Sequence, residues 1–321
     1  MNDFIREIEA ADTIVILGHK RPDGDCVGSC LGIYNYVLDN YGDKSVDIYL
    51  DDFKKEFMFL RGADGILHEK QNKTYDLCIS VDSGDLDRHG DFVSYFHEAK
   101  RTMCVDHHVS NVGFGDVCFL KTDCCAAAEA IYTLLDEDKI GQECAECLYL
   151  GIVHDTGVFK YSNTTKRAME IAGALIEKGA RTTLVIDGTF YKKTFKQNKM
   201  LAKALDAAFL MFDNKVIVSC LEKGVFDEME ATNIDTDGVV DALRITDGVE
   251  CALWMYEYPK KGTFKCSLRS NSVVNVNLIA CSLNGGGHVR ASGCEVDGDK
   301  DTIILKITDL IKEQLIAAGE L

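Results

Sequence analysis

The sequence predicts an α/β protein of two domains: a mainly parallel-sheet domain, then a smaller α/β domain, with a cleft between them. Three observations lead there. Strand-length apolar runs alternate with helical patterns through the first half, as βαβ units and a parallel sheet require. Those runs are nearly continuous in apolar residues, as in strands covered on both faces. At 321 residues the chain is also too long for one ordinary domain. We expect a first domain over residues 1–190, a connecting segment over 191–212 and a second domain over 213–321.

Taken in order, residues 2–10 read as a short amphipathic helix and Thr13-Ile14-Val15-Ile16-Leu17 as a buried strand. The segment Gly18-His19-Lys20-Arg21-Pro22-Asp23-Gly24-Asp25 follows as a turn, before a helix over residues 30–38. An extended backbone there would aim Asp23 and Asp25 to one side, and Gly24 and Gly28 leave room for a close approach. Strands are expected at 46–50, 75–81 and 101–105, with a helix at 54–61 between the first two. A helix over 144–153 precedes Asp155-Thr156-Gly157, and helices at 165–178 and 182–187 close the first domain. The basic stretch 190–199 bridges to a helix at 200–212. Beyond it come strands at 215–221, 249–258 and 261–268, with a turn at 258–262, and helices at 276–282 and 302–317.

Composition narrows the function. Apolar residues make up 46% of the chain, ample for a core, and charged residues 27%, an ordinary globular share. A formal charge of −17 disfavours long nucleic acids, whose binding rests on neutralising many phosphates. Short oligonucleotides or small phosphorylated nucleotides remain as partners, because cations and arginines can hold them locally. No apolar run reaches the roughly 18 residues of a membrane span. We read no signal peptide in Met1-Asn2-Asp3-Phe4, so no membrane partner and a cytoplasmic location are expected. The 14 cysteines are scattered through strands and helices, which reads as reduced, mostly buried thiols. Cys144 and Cys147 form a CxxC without a second pair, inside a helical pattern, and are not expected to bind metal or cycle redox.

The chemistry lies at the strand ends. Three predicted strands end in His19/Asp23/Asp25, in Asp82 and in Asp106-His107-His108, and Asp155 follows a helix. Right-handed crossovers bring those ends to one edge of the sheet, where an open α/β sheet binds ligands. So many carboxylates would repel one another unless cations neutralise them. Mixed carboxylate and imidazole donors suit Mn²⁺, Mg²⁺, Co²⁺ or Zn²⁺. His68, His89, His97 and His154 are read as ordinary structural histidines.

These residues resemble the DHH phosphoesterase superfamily, in its branch with a DHHA1 C-terminal domain. The resemblance is carried by His19-x-x-Pro22-Asp23-Gly24-Asp25-x-x-Gly28-Ser29, Val81-Asp82-Ser83, Asp106-His107-His108 and Asp155-Thr156-Gly157. It continues in Ser267-Leu268-Arg269-Ser270 and Gly285-Gly286-Gly287-His288-x-x-Ala291-Ser292-Gly293, so it spans nearly the whole chain. Asn284 departs from the pattern, since the family often has another glycine there.

The resemblance implies two divalent cations, manganese foremost, with magnesium or cobalt as alternatives. His19, Asp23 and Asp82 resemble the ligands of one; Asp25, Asp82, His107 and Asp155 resemble those of the other, with Asp82 bridging. His108 would face the phosphate, and Asp106 would orient the neighbouring imidazoles. Independently of the family, residues 284–288 read as a glycine-rich loop that offers backbone N–H groups to anionic oxygen, and arginine suits phosphate. Substrate contacts are therefore expected at Arg269, Gly285, Gly286, Gly287 and His288, and the resemblance adds Ser270.

The group most resembled comprises short stand-alone enzymes that act as nano-RNases and pAp phosphatases. It implies hydrolysis of short oligoribonucleotides and of 3′-phosphoadenosine 5′-phosphate (pAp), and a homodimer. The alternatives are a phosphodiesterase of pApA or related cyclic-dinucleotide products, a pyrophosphatase, and a nucleotide-binding sensor without turnover.

Overall fold

The computed structural model describes residues 2–321, and the chain divides into two compact units, Met1–Lys192 and Lys193–Leu321. The first unit opens with α1 (Asp3–Ala10), β1 (Thr13–Leu17), α2 (Gly24–Asn40), β2 (Ser45–Tyr49) and β3 (Leu77–Val81). It continues with α3 (Val93–Glu98), β4 (Arg101–Asp106), β5 (Val117–Leu120), α4 (Ala127–Tyr132) and α5 (Gln142–Asp155). Helices α6 (Lys166–Glu177) and α7 (Thr182–Ile186) complete it.

Asn2 starts α1 by accepting the Ile5 N–H, and the helix buries Phe4, Ile5 and Ile8 against the core. The five strands are all parallel, in the order β2-β1-β3-β4-β5. Ile14, Val15, Ile16 and Leu17 are wholly buried, because one face of β1 packs in the main core and the other in a cluster with Tyr49, Tyr95 and Phe96. The chain reverses its direction of travel across the sheet between β1 and β3. Such a switch point opens a crevice at the carboxyl ends of the two strands.

Several expectations are corrected. Helix α2 begins at Gly24, so Asp25 lies in its first turn rather than in an extended turn; only Asp23, the N-cap, is extended. Asp23 accepts the N–H groups of Asp25 and Cys26, and this cap starts the helix early. Residues 54–61 hold one 3₁₀ turn, Lys55–Phe57, instead of an α-helix. Strand β5 was not foreseen. The approach to Gly24 and Gly28 is made by the protein itself: a Cβ on Gly28 would stand 2.4 Å from the Cys147 carbonyl oxygen of α5. One on Gly24 would stand 2.2 Å from the His154 ring.

The second unit begins with α8 (Phe195–Asp206), β6 (Phe209–Met211), β7 (Val216–Leu221), α9 (Lys223–Glu228) and α10 (Val239–Arg244). Then come β8 (Cys251–Glu257), β9 (Thr263–Ser270), α11 (Val276–Ser282), β10 (Gly286–His288), β11 (Ala291–Asp297) and α12 (Lys300–Ala317). Its mixed sheet runs β10-β11-β9-β8-β7-β6, with β7 and β8 parallel and the other neighbours antiparallel. One face packs Leu253, Met255, Cys266 and Leu268 with residues of α11 and α12. The other packs Ala252, Trp254 and Tyr256 with residues of α8 and α10.

The basic stretch is half helical, since α8 starts at Phe195 behind a Thr194–Gln197 capping box and ends at Asp206. Residues 209–211, expected in that helix, form edge strand β6. The glycine run is not a free loop either: Gly286–His288 pairs with β11 in a hairpin. Helices α9 and α10 and strand β11 were not foreseen. No helix among the described residues is long and apolar enough to cross a membrane.

Candidate metal centre and active site

His19 follows β1 by two residues, and its ring is buried. Its Nδ1 lies 2.9 Å from the Lys20 carbonyl, which accepts the Nδ1–H hydrogen bond and leaves Nε2 as the donor atom for a metal. Nε2 is 3.5 Å from Asp82 Oδ2 and 3.8 Å from Asp23 Oδ1. Asp82 follows β3 directly, across the switch point, with a left-handed φ of 52° and 2% exposure. That conformation is costly for a non-glycine residue and recurs where function over-determines the backbone.

The other Asp82 oxygen faces a second set of donors. Oδ1 lies 3.5 Å from His107 Nε2, and the same nitrogen is 3.4 Å from Asp155 Oδ2 and 3.8 Å from Asp25 Oδ2. Asp25 is held from α2, with Oδ2 accepting the Ala127 N–H at 2.6 Å and Oδ1 the Ala128 N–H at 3.0 Å. Ser29 Oγ donates to Asp25 Oδ1 at 3.1 Å. Asp155 is the last residue of α5. His108 stands beside this set, with Nδ1 2.8 Å from Asp106 Oδ1. Asp106 Oδ2 accepts from Asn111 Nδ2 at 2.7 Å. All the metal-ligand candidates of the first unit therefore gather at one strand-end crevice, with His108 and Asp106 on its flank.

Protonation follows from the crowding. Burial and the charge of Asp82 push the Asp25 carboxyl well above the usual carboxylate range. Burial, with Asp25 and Asp82, does the same to Asp155. Burial would lower His107 and His19, yet the neighbouring carboxylates outweigh it and raise both. His108 is raised by its hydrogen bond to Asp106. The cluster thus keeps protons where cations would otherwise balance its charge, as expected of ligands that exchange protons for metal.

The donor set fits two divalent cations. His19 and Asp82 lie within one group of mutually close donor atoms, and Asp25, His107 and Asp155 form another. Asp82 Oδ1, buried and facing the second group, has no hydrogen-bond partner among the described residues. An orphaned buried carboxylate oxygen is costly unless a cation meets it.

Three contributors escaped the sequence reading. Cys26 Sγ accepts the His19 N–H at 3.3 Å and sits among the donors of the first group; burial holds its thiol far above its usual pKa, so it is neutral. Asn111 braces Asp106 and also donates to the Ser83 carbonyl at 3.1 Å, from a position no spacing rule marks. His89 is buried behind the ligands, bonding Ser80 Oγ at 2.7 Å and the Gly18 carbonyl at 2.8 Å. It ties the ends of β1 and β3 together. His154, Nε2 2.7 Å from Thr189 Oγ1, fills the space left by Gly24.

In the second unit, His288, Ala291 and Arg269 stand opposite one another across β10, β11 and β9. His288 and Arg269 thus share one face, about 10 Å apart by strand spacing, with a small residue between them. Arg269 Nε lies 3.7 Å from Asp241 of α10. Ser270 is buried, and its hydroxyl donates to the Val274 carbonyl at 2.6 Å. Gly285 lies against Gly293 and Cys294 of β11, whereas Gly286 is open. Asn284 has a left-handed φ of 59°, a conformation asparagine tolerates better than most residues, so the backbone path a glycine would take is kept.

Residues 13–152 match the model of the DHH family, N-terminal domain, and residues 213–313 match that of the DHHA1 domain. The chain carries a DHH domain followed by a DHHA1 domain. The chain is similar to the bifunctional oligoribonuclease and PAP phosphatase NrnA of Bacillus subtilis, 27% identical over 97% of this chain and 98% of the relative. The protein of the same name from Thermus thermophilus is 26% identical over 96% of this chain and 92% of its own length. The DHH–DHHA1 fold is shared by the crystal structure of an exopolyphosphatase-related protein from Bacteroides fragilis. That structure has a TM-score of 0.85 and 24% identity, covering 97% of this chain and 94% of that one. DHH phosphoesterases are metal-dependent hydrolases, consistent with the donor groups gathered here.

Proposed function

We propose that this chain hydrolyses short oligoribonucleotides to mononucleotides, and pAp to AMP and phosphate, by a two-metal mechanism with manganese as the working ion. The observation that carries the reading is Asp82: one buried carboxylate divides its oxygens between His19 and His107, and one of those oxygens is otherwise unpartnered. The names of the relatives supply the substrate class. His19, Asp23 and Asp82 would hold one cation, and Asp25, Asp82, His107 and Asp155 the other. Bound divalent cations supply Lewis acidity, which makes water nucleophilic near neutral pH and neutralises charge on the phosphoryl oxygens.

The remaining chemistry belongs to side chains. Because His108 commits Nδ1 to Asp106, its Nε2 is the nitrogen left to donate to a phosphoryl or leaving-group oxygen. Asp106, braced by Asn111, fixes that ring and favours its protonated form. Arg269 and His288, in one row, would bind a substrate phosphate, with the outward-pointing backbone N–H that the β11 ladder leaves to the glycine run beside them. Ser270 would act only by shaping the turn after β9, since its hydroxyl is already donated.

The test offers pAp, pApA and a 5′-labelled five-nucleotide RNA side by side to purified protein with Mn²⁺. Mononucleotide release from the RNA together with phosphate release from pAp supports the proposal. Turnover of pApA alone moves the protein to cyclic-dinucleotide breakdown. Tight Mn²⁺ binding without turnover of any of the three overturns the assignment in favour of pyrophosphate or of a sensor.

A further inference from the structure

The second unit carries a pair of thiols that the phosphoester chemistry does not use. Cys266 of β9 and Cys294 of β11 stand directly opposite each other on adjacent antiparallel strands. The ladder is hydrogen-bonded from Ser270 N to the Arg290 carbonyl at one end and from Gly298 N to the Gly262 carbonyl at the other. Since hydrogen-bonded pairs alternate along an antiparallel ladder, Cys266 and Cys294 form one such pair. Their Cα atoms are then about 5.5 Å apart, within the span a disulfide bridges.

The two side chains pack in one apolar cluster, and the neighbouring Cys266 holds the Cys294 thiol below its usual pKa, which favours the thiolate there. Cys294 is half-buried and within reach of a small oxidant, while Cys266 is buried behind it. A third thiol, Cys220 of β7, lies in the same row but is separated from Cys266 by Met255. Cys266 is therefore the resolving partner the geometry offers to Cys294.

The pair is coupled to the glycine run. A Cβ on Gly285 would stand 2.5 Å from Cys294 Cβ and 2.2 Å from the Gly293 carbonyl, so the run is seated on the Cys294 backbone. The Gly285 N–H is tied to the Ala280 carbonyl of α11 at 2.8 Å. Opposed Cβ atoms in a strand pair are about 5 Å apart, against about 3.8 Å across a disulfide. Closing the bond brings the two Cβ atoms together by roughly 1 Å, which tilts the Cys294 backbone against β9, and Gly285 has no slack in which to stay behind.

We propose that Cys266 and Cys294 form a reversible, peroxide-driven disulfide that shifts the Gly285–His288 hairpin and weakens substrate binding. The Cys294 thiolate attacks one peroxide oxygen, giving a sulfenic acid and, after proton uptake, water. The Cys266 sulfur then attacks the sulfenic sulfur, the S–S bond forms, and a second water leaves. Two thiols are oxidised and one hydrogen peroxide is reduced to two waters. The effect on binding rests on the substrate reading above; formation of the bond does not.

The experiment treats reduced full-length protein, in a Cys118→Ser/Cys281→Ser background that removes the two exposed thiols, with hydrogen peroxide. Free thiols are alkylated and the peptides mapped by mass. The expected result is a linked Cys266–Cys294 peptide, lost on reduction and absent from Cys294→Ser and from Cys266→Ser. Full alkylation of both cysteines after peroxide overturns the disulfide. With pAp, the oxidised protein should show a KM raised about fivefold, an ordinary allosteric coupling, with kcat nearly unchanged and Cys294→Ser insensitive to peroxide. A linked peptide with unaltered KM overturns the coupling to the hairpin. Absence of turnover in the reduced protein counts against the substrate reading, and the mass map still decides the bond.

Discussion

Replacing Asp82 with asparagine removes one charge while preserving shape, and the structure says what that charge does. Each oxygen lies 3.5 Å from an imidazole nitrogen of a different donor group, so both proposed cations depend on it. Two unit charges about 4 Å apart attract by about 4 kcal/mol at an effective dielectric of 20, which is roughly a thousandfold in affinity. The amide oxygen can still act as a neutral donor and recover part of this. Asp82→Asn should therefore bind each Mn²⁺ about a hundred- to a thousandfold more weakly, and pAp turnover should fall to background. Cations present at 100 times their dissociation constant stabilise the native state by about 2.7 kcal/mol, or roughly 5–10 °C in Tm for a unit of this size. The wild type should show that rise on adding Mn²⁺ and the variant should not. Titration calorimetry on stripped protein, thermal melts and phosphate release would be read together. Two equivalents of Mn²⁺ bound at wild-type affinity, or turnover within tenfold of wild type, would refute the bridging assignment.

Gly28→Ala places a methyl 2.4 Å from the Cys147 carbonyl oxygen; overpacking of about 1–3 kcal/mol should appear in urea melts, with weaker Mn²⁺ binding because α2 carries Asp25 and α5 carries Asp155. His89 is held neutral by burial, with its pKa lowered to about 4. The unfolded chain, at about 6.5, takes up this proton first. Its contribution to stability is therefore full above pH 6.5 and is lost as the pH falls toward 4, by up to about 3 kcal/mol. His89→Gln should flatten that part of the stability–pH curve, and an unchanged slope would contradict the buried neutral assignment. Glu250 accepts the N–H groups of Ser272, Val273 and Val274 at 2.6 to 3.0 Å. Glu250→Gln should cost about 1.5–3 kcal/mol and raise hydrogen exchange at residues 271–275, leaving the metal centre untouched.

Much of this was legible in the residues. The bounds of β1 were read correctly because a β-branched apolar run ended sharply at Gly18, and α11 because Asn275 capped an apolar helix. The chemistry was legible because ligands of an α/β sheet collect at strand ends, and His19, Asp82 and His107 all follow strands. Asp25 was misplaced because a D-G-D sequence reads as a turn, while the Asp23 cap turns it into a helix start. The glycine run was read as a loop because a glycine strand has no side-chain alternation to declare it; its pairing with β11 comes from the sheet. Strand β5, four residues long with Cys118 exposed, gives too short a pattern to separate from a loop. Asn111 and His89 were invisible as contributors because each also bonds a backbone carbonyl far off in sequence, Ser83 and Gly18, which no side-chain pattern declares.

The contact between α2 and α5 sets a limit on how this site can change. Asp25 rides on one helix and Asp155 on the other, and at Gly28 the two meet backbone to backbone, with a main-chain carbonyl where a side chain would be. Side-chain packing can drift by successive small substitutions, but a main-chain contact has no intermediate sizes. The separation of these two carboxylates is thus a fixed gauge. Variants with altered ion or substrate preference should accumulate at the exposed rim, around Lys20, Arg21, Val109 and Val112, while the floor of the site stays as it is.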